Sequence, residues 1–278
     1  MKAYLDIVEK VLSDGSWKEN RTGIRALGIS GAMFEHDLAL GFPALTTKRL
    51  AFKQVAIELE FFIKGLTDKK WLQERGCHIW DEWCNPDLVP PELSNEERKK
   101  FQRESDDLGP IYGSQWRNFH GVDQLKGVVE TLHSNPNDRR MVVSAWNPPQ
   151  HYEMALPPCH VLWQVIVTGD GKLNLNWYQR SVDSMLGLPF NIASYALLLE
   201  LLARQVGKPV GKLCGFLGDV HIYENHINQA KVQILRDPLP LPKLELTGEK
   251  NIFDWTHVEA HLLNYKHHGK LEFEMSAI

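Results

Sequence analysis

Cys159 is the residue of this sequence best placed for covalent chemistry. It follows Pro157 and Pro158, whose rings fix φ and remove two N–H donors, so the chain that leads to the thiol is stiff. A stiff loop that ends where a strand begins can present a nucleophile, although most free cysteines pack as small hydrophobes. Because a thiol attacks as its thiolate, catalysis would require positive charge nearby.

Four arginines are candidates for that charge and for binding an anion. Arg139 and Arg140 precede an apolar strand, Arg180 ends a predicted strand over 173–178, and Arg21 lies in a turn-like segment. The planar guanidinium group matches phosphate well. Each arginine can equally be a solvated strand-end charge or part of a structural ion pair. Only their convergence in space would favour an anion site.

Ser181 follows Arg180 directly, and strict alternation along a strand would put the two side chains on opposite faces. If both contact one anion, the strand must therefore end or bulge at this point.

Glu58 lies in an apolar helix predicted over 52–63. Burial of a carboxyl group raises its pKa into the range useful for proton transfer. Glu60 weakens this interpretation, because two residues that are two positions apart point in different directions and one of them can simply face water. The same sequence therefore allows a catalytic or a solvated carboxylate.

Aromatic and polar side chains at two further places could contact a ligand. Trp80 and Trp83 could stack on a flat ligand, or they could simply fill the core. Asp219, His221 and Tyr223 alternate with apolar residues and share one strand face, which either faces solvent or lines a site.

Composition limits the class of protein. The chain has 278 residues, 31 basic against 35 acidic side chains, 43% hydrophobic residues and 24% charged residues. These values are typical of a globular protein and exclude a disordered, collagen-like or disulfide-stapled chain. A net charge of −4 argues against a general DNA-coating protein but permits a local basic pocket. The four cysteines form no Cys-x-x-Cys pair, so we expect no structural zinc site.

The elements that must position these residues can be read from periodicity and turn signals. Helices and strands without regular βαβ alternation predict an α+β fold, and the absence of a linker predicts one domain over residues 1–278. The charged stretch 90–107, with prolines at its start, predicts a solvated surface insertion. The expected elements are a helix ending near Gly15, an irregular strand region over 23–34, a helix over 52–63, strands over 141–146, 160–167 and 173–178, a hairpin turn at 168–172, and a helix over 191–206 that stops at Gly207.

Localisation follows from what the termini and the apolar runs suggest. The N-terminus lacks the apolar core of a signal peptide, and the most apolar stretch, 192–203, is too short for a bilayer and carries Glu200. We therefore predict a cytoplasmic protein with free thiols and no membrane partner.

Taken in chain order, these segments closely resemble the thymidylate synthase family over nearly the whole chain. The run 186–196 is the most specific of them. The matching segments are Asn20-Arg21-Thr22-Gly23, Phe42-Pro43-Ala44-Leu45-Thr46-Thr47-Lys48, Ile79-Trp80-Asp81-Glu82-Trp83, Gly109-Pro110-Ile111-Tyr112-Gly113, Pro157-Pro158-Cys159-His160, Gln179-Arg180-Ser181, Leu186-Gly187-Leu188-Pro189-Phe190-Asn191-Ile192-Ala193-Ser194-Tyr195-Ala196, Gly218-Asp219-Val220-His221-Ile222-Tyr223 and Ala277-Ile278.

The resemblance implies a large mixed, mainly antiparallel sheet that packs back to back across a homodimer, with helices on its other face. It also implies reductive methylation of dUMP to dTMP, in which 5,10-methylenetetrahydrofolate supplies the carbon and the hydride and leaves as dihydrofolate. No metal and no nucleic acid would be required.

The same resemblance assigns roles to individual residues. Cys159 would add to carbon 6 of the uracil ring, with Glu58, Tyr112, Asn191 and Asp183 completing the catalytic set. The residues implied for dUMP are Arg21, Arg180, Ser181, Asp183, Asn191, His221 and Tyr223, with Arg139 and Arg140 from the partner subunit. The residues implied for the folate are Lys53, Ile79, Trp80, Trp83, Asp183, Gly187, Phe190 and Ala277, the last as part of a closing C-terminal tail.

Asn191 and Trp80 distinguish a thymidylate synthase from the related hydroxymethylases. An amide can donate to the uracil 4-oxygen and accept from the ring N–H, whereas cytosine presents the reverse pattern and the related dCMP hydroxymethylases have Asp at this position. A large ring at Trp80 would keep water from the exocyclic carbon, which disfavours a dUMP or dCMP hydroxymethylase.

Two alternatives from other classes also remain. A nucleotide-binding or RNA-binding module would not need the thiol of Cys159. A cysteine hydrolase would need His160 as its base, but adjacent strand residues point to opposite faces.

A few positions depart from common family patterns. Ala51 and Lys53 stand where histidine and arginine often contact the folate, which puts the affinity for the folate tail in doubt. Glu60, Val182 and Ser276 are also unusual for the family.

Overall fold

The computed structural model describes residues 1–20 and 23–274. Within these residues the chain forms eight α-helices and eight β-strands. The helices are α1 (Lys2–Asp14), α2 (Phe52–Ile63), α3 (Lys70–Gln73), α4 (Asn95–Glu104), α5 (Tyr112–Arg117), α6 (Gln124–Ser134), α7 (Gly187–Val206) and α8 (Ile227–Ile234). The strands are β1 (Ser16–Lys18), β2 (Ala26–Asp37), β3 (Val142–Ser144), β4 (His160–Val167), β5 (Leu173–Asp183), β6 (Val210–Tyr223), β7 (Lys243–Leu246) and β8 (Ala260–Leu263).

Six strands form one mixed sheet in the order β1-β2-β6-β5-β4-β3. All neighbours are antiparallel except β5 and β6, which run parallel. A parallel pair needs a long crossover, and α7 provides it. Strands β7 and β8 form a separate pair. The predicted single-domain α+β fold with a mainly antiparallel sheet is therefore confirmed.

The two central helices follow from simple sequence signals. Helix α2 has the predicted bounds, Phe52–Ile63. Nine of its residues, Val55 through Ile63, are buried, which agrees with the apolar sequence from which the helix was predicted. Helix α7 ends at Gly207 as expected, with φ 66° and ψ 30° in the left-handed region that suits glycine. It begins at Gly187, four residues earlier than predicted. Pro189 does not prevent this start, because it lies in the first turn, where a backbone N–H would have no hydrogen-bond partner within the helix.

Strand β5 continues past the predicted end at Tyr178. Its register with β6 is constant from Tyr178, opposite Phe216, to Asp183, opposite His221. The hypothesis that the strand ends or bulges at residues 180–181 is therefore wrong. The irregularity lies in the neighbouring strand instead, between His160 and Leu162 of β4. The predicted hairpin between β4 and β5 is present.

The region 23–34 forms a more regular strand than expected. Strand β2 pairs with β6 along its whole length, from Ala26 opposite Tyr223 to Asp37 opposite Lys212. Long pairing with a central strand holds most of the backbone extended, and the expected irregularity is found at Gly31, whose φ is 85°.

One face of the sheet packs against helices, and the other face carries an apolar row. Met33, Phe216, Tyr178 and Leu162 lie directly beside one another on four adjacent strands. All four side chains are exposed. Such a contiguous apolar surface is typical of an interaction site.

The charged stretch contains a helix. Ser94 and Glu97 form a capping box at the start of α4, and no residue of this helix is buried. The Ser-x-x-Glu spacing could have predicted this start. The region is solvent-exposed on one side, as expected for an insertion.

Candidate active site

A single large cleft gathers most of the predicted site residues. It has a volume of about 1630 Å³, which exceeds the ~300–1,000 Å³ of an ordinary ligand pocket and leaves room for two ligands. The predicted residues that line it are Glu58, Ile79, Trp80, Trp83, Tyr112, Cys159, Arg180, Ser181, Asp183, Gly187, Phe190, Asn191, His221 and Tyr223.

The remaining predicted residues lie elsewhere or outside the described residues. Lys53 is exposed beside the cleft-lining Gln54 and does not itself line the cleft. Arg139 and Arg140 are exposed just before β3, at the sheet edge. Arg21 and Ala277, with the unusual Ser276, lie outside the described residues.

Arg180 holds the turn that presents Cys159. Its Nε donates to the Pro158 carbonyl at 2.8 Å and its Nη2 donates to the Pro157 carbonyl at 2.9 Å. Its backbone N–H also donates to the carbonyl of Cys159 at 2.8 Å. These bonds fix the guanidinium charge of Arg180 beside the turn that carries the thiol. Arg180 and Ser181 both line the cleft although they alternate on a regular strand.

Tyr112 contacts the same turn from the opposite side. Its hydroxyl oxygen accepts a hydrogen bond from the Cys159 N–H at 2.8 Å. Burial and the nearby Cys159 raise the pKa of Tyr112 well above its usual value. Its hydroxyl therefore stays protonated and can act as a hydrogen-bond donor or relay next to the thiol.

His160 is not available as a base. Its ring stacks on Tyr112 at 4.1 Å, and its Nδ1 lies 2.7 Å from the Tyr195 hydroxyl. Burial lowers the pKa of His160 to about 3, so the ring is neutral. These contacts fill its hydrogen-bonding role within the core and argue against a Cys159–His160 hydrolase.

Glu58 places a buried carboxyl group in the cleft wall. It is 7% exposed, and one carboxyl oxygen accepts a hydrogen bond from the Trp80 indole N–H at 2.8 Å. Burial raises the pKa of Glu58 to about 7, although the Trp80 bond opposes the shift. A carboxyl group with this pKa can both donate and accept protons near neutral pH.

Glu60 is buried as well, so neither carboxylate faces water. It accepts hydrogen bonds from the His257 N–H at 2.8 Å and lies 2.6 Å from the His257 Nδ1. Lys64 lies 3.5 Å away. The segment around His257 covers the side of α2 opposite the cleft, which gives this unusual carboxylate its partners.

The burial of Glu58 predicts a pH-dependent stability. We expect Glu58→Gln to gain stability over the wild type as the pH rises. The folded pKa of about 7 exceeds the unfolded value near 4.5, so deprotonation of Glu58 opposes folding. The difference should be absent below about pH 4.5, grow up to about pH 7, and reach about 3 kcal/mol above that. Urea unfolding at several pH values measures it.

The matched control for this experiment is Glu130→Gln, on the exposed side of α6. It should follow the wild type at every pH. A Glu58→Gln protein whose stability stays parallel to the wild type from about pH 5 to pH 8 would contradict the raised pKa.

Asn191 is oriented by a residue that was not predicted to belong to the site. Its Oδ1 accepts a hydrogen bond from the Gln179 Nε2 at 3.1 Å. Gln179 is itself held by the Trp177 indole N–H at 3.2 Å. This relay fixes which end of the Asn191 amide is bonded to the protein. The available signal was its place at the start of the family-like run Gln179-Arg180-Ser181.

The polar row on β6 does line the cleft. His221 Nδ1 lies 3.1 Å from the Asp219 carboxylate, which also forms an ion pair with Lys18. The ring of Tyr223 packs edge-on against His221 at 5.1 Å. Asp219, which belongs to the predicted polar row, holds His221 in position, and Lys18, which was not predicted as a site residue, holds Asp219.

Asp183 connects the end of β5 to the start of α7. One of its carboxyl oxygens accepts from the N–H groups of Met185 at 2.9 Å and Leu186 at 3.2 Å. The turn thus brings Asp183, Gly187 and Asn191 to the same wall of the cleft.

Within residues 1–20 and 23–274, no group of three or more His, Cys, Asp or Glu side chains is arranged to hold a metal ion. In the same part of the chain, no helix has both the length and the apolar character needed to cross a bilayer.

Comparison with known proteins agrees with this architecture. The family model described as "Thymidylate synthase" matches residues 2–277. The chain is 42% identical to the thymidylate synthase of Mycoplasma pneumoniae, over 99% of this chain and 100% of that protein. It is 44% identical to that of Mycoplasma genitalium, over 96% and 97% of the two chains. For Mesoplasma florum the identity is 43%, over 99% and 100%.

These matches define an enzyme of the methyltransferase class. The chain belongs to the thymidylate synthase family.

Proposed function

We propose that the cleft around Cys159 carries out the reductive methylation of dUMP to dTMP. The reduced folate, 5,10-methylenetetrahydrofolate, supplies the methylene carbon and the hydride and leaves as dihydrofolate. The observation that carries the proposal is the convergence of a half-exposed thiol, a buried carboxyl group and an oriented amide in one cleft: Cys159, Glu58 and Asn191. The cleft volume accommodates both reactants.

Cys159 acts as the nucleophile. Its thiolate adds to carbon 6 of the uracil ring, which makes carbon 5 an enolate carbon able to attack the folate methylene. Covalent catalysis is needed because carbon 5 of uracil is otherwise a poor nucleophile. Arg180 supports this role, since its guanidinium group is bonded to the turn that presents the thiol.

Glu58 and Tyr112 handle protons around the ring. The pKa of about 7 lets Glu58 exchange protons with water in the cleft. Tyr112, which is bonded to the Cys159 N–H, assists removal of the proton at carbon 5. When the C–S bond breaks at the end of the reaction, the thiolate is regenerated.

The nucleotide phosphate binds to Arg21, Arg180 and Ser181, and His221 and Tyr223 contact the deoxyribose hydroxyl group. Arg139 and Arg140 reach the same phosphate from the partner subunit. Their exposure at the sheet edge leaves them available for that role.

The folate binds against the wall formed by residues 79–83 and 183–190. Asp183 contacts the pterin ring, and Ile79, Trp80, Trp83, Gly187 and Phe190 provide the apolar surface for it. Lys53 meets the folate tail at the rim, and Ala277 belongs to the closing tail.

The homodimer forms through the apolar row on the open face of the sheet. A second copy of this chain offers the same row, so the surface is self-complementary under a two-fold axis. Cys77, Cys84 and Cys214 are free cysteines, which fits a cytoplasmic protein.

A charge in the centre of this row should weaken the dimer. We expect Tyr178→Arg to raise the dimer dissociation constant by about 100-fold, since a buried unpaired charge would replace a central aromatic contact. Turnover should also fall on dilution, because the site of a monomer lacks Arg139 and Arg140 of the partner subunit. Analytical ultracentrifugation and turnover at matched concentrations measure both effects.

The control is Leu235→Arg, which introduces the same charge at a residue that is 84% exposed just after α8. It should leave the dimer and the turnover unchanged. A Tyr178→Arg protein that remains dimeric at nanomolar concentration would place the interface elsewhere.

Product mass tests the proposed function itself. The enzyme is incubated with 5,10-methylenetetrahydrofolate and either dUMP or dCMP, and the nucleotide products are weighed by mass spectrometry. We expect dTMP from dUMP and no product from dCMP. A hydroxymethyl product would establish the hydroxymethylase alternative, which the ring of Trp80 beside Glu58 disfavours because it excludes water.

A further inference from the structure

Lys69 is an unusual buried cation outside the cleft. Its side chain is fully buried, with 0% exposure. The ammonium group donates three hydrogen bonds, to the backbone carbonyls of Asp81 at 2.9 Å, Trp83 at 2.9 Å and Gln102 at 2.6 Å. A lysine ammonium has three N–H donors, so all of them are used. A charge is rarely buried this completely, and here it is satisfied by backbone alone.

The three carbonyls belong to two segments that both line the cleft. Asp81 and Trp83 lie in the segment that carries Trp80, and Gln102 lies in α4. Trp80 and Trp83 line the cleft, and so do Gln102 and Lys99 of α4. Residues 80–83 are called the tryptophan segment below. Lys69 therefore connects the tryptophan segment to α4 across the outer end of the cleft.

The connection continues to the reacting groups. The Trp80 indole donates to Glu58 at 2.8 Å, so the position of this ring and the position of the carboxyl group depend on each other. Arg103 of α4 adds a second link to the tryptophan segment through the Glu82 carboxylate, with Nε at 2.9 Å. That pair is partly exposed, at 58% for Arg103 and 21% for Glu82, so it should contribute less than Lys69 does.

We propose that Lys69 is a positioning residue that holds the tryptophan segment, which forms one wall of the cleft, against α4. The charged insertion then has a role in catalysis, since it anchors the surface on which the folate lies. The inference rests on the proposed function, in which this wall binds the folate. The binding of the nucleotide should not depend on Lys69, because none of the three carbonyl partners lies in the part of the cleft that binds dUMP.

Lys69→Met tests the proposal, since methionine keeps the length of the side chain and removes the ammonium group. We expect the KM for methylenetetrahydrofolate at saturating dUMP to rise by about tenfold or more, because three charge-assisted bonds are lost and the wall loosens. The Kd of dUMP alone, measured by calorimetry, should stay within about twofold. Lys70→Met, at the exposed neighbouring lysine, is the matched control and should change neither value.

Hydrogen exchange separates a local from a global effect. Amides of residues 78–84 should exchange faster in Lys69→Met, while those of α7 keep their protection. An unchanged folate KM, or equal losses of folate and dUMP binding with faster exchange throughout, would overturn the proposal. If Lys69→Met does not fold, Arg103→Met serves as the second variant. It should raise the folate KM by a smaller factor and leave the Kd of dUMP unchanged. A variant that changes both values equally, or neither, would overturn the proposal. Wild-type turnover separately reports on the proposed function.

Discussion

Replacement of Cys159 by serine is expected to lower kcat by about 10⁴-fold or more, in the range seen when the nucleophile of an enzyme is removed. A serine hydroxyl is not ionised at neutral pH and needs a base to attack. The adjacent His160 is a poor base, because burial lowers its pKa to about 3 and its Nδ1 is bonded to Tyr195. Binding of dUMP should persist within about tenfold, since the oxygen replaces the sulfur without disturbing Arg180 or Asn191.

Steady-state turnover and calorimetric binding of dUMP measure the two halves of this prediction. Cys214→Ser is the matched control, because this thiol lies on β6 and does not line the cleft. It should keep wild-type turnover. A Cys159→Ser enzyme that retains more than about a tenth of the wild-type kcat would refute covalent catalysis by this thiol.

Asn191→Asp should change the preferred base. We expect kcat/KM for dUMP to fall by about 10³-fold and the preference for dCMP over dUMP to rise by a similar factor, as for other mispaired buried polar groups. A protonated aspartate can accept from the cytosine amino group and donate to the ring nitrogen, which reverses the pattern of the amide. Gln179 can still donate to a lone pair of the carboxyl oxygen that takes the place of the Asn191 Oδ1, so the residue stays oriented.

Turnover with each nucleotide as the sole substrate measures this change, with the exposed Asn95→Asp on α4 as a control for the same chemical replacement. The control should leave the ratio of the two kcat/KM values unaltered. If the variant loses both activities equally, Asn191 supports the structure of the site without reading the base.

Local features of the sequence predicted much of the fold. Helix α2, the strand β4 and the hairpin to β5 follow from apolar periodicity and turn residues close in the chain. The thiol at the end of the double-proline loop was also found in this way. These features depend on neighbours within a few positions, which is why sequence patterns report them.

Contacts between distant segments could not be predicted. The partner of Glu60 is His257, 197 positions away, so the sequence left open whether this carboxylate faces water. Gln179 gains its role only because β5 lies beside α7, which brings Asn191 within 3.1 Å. Lys69 resembles an exposed lysine until the fold surrounds it with three carbonyls.

Arg180 illustrates a second limit. Its position next to Ser181 on a regular strand led to the expectation of a bulge. The structure needs none, because the long side chain reaches the carbonyls of Pro157 and Pro158 from its own face. Side-chain length can thus bring alternating residues to one cleft, and strand periodicity alone does not capture this.

The central claim is a carbon–sulfur bond between Cys159 and carbon 6 of the pyrimidine, and trapping this adduct tests it most directly. The enzyme is mixed with 5,10-methylenetetrahydrofolate and 5-fluoro-dUMP, whose fluorine replaces the proton that must leave carbon 5. We expect the denatured protein to carry the mass of nucleotide plus folate on the peptide that contains Cys159. Unmodified protein, or an adduct on the peptide of Cys77, Cys84 or Cys214, would contradict the account.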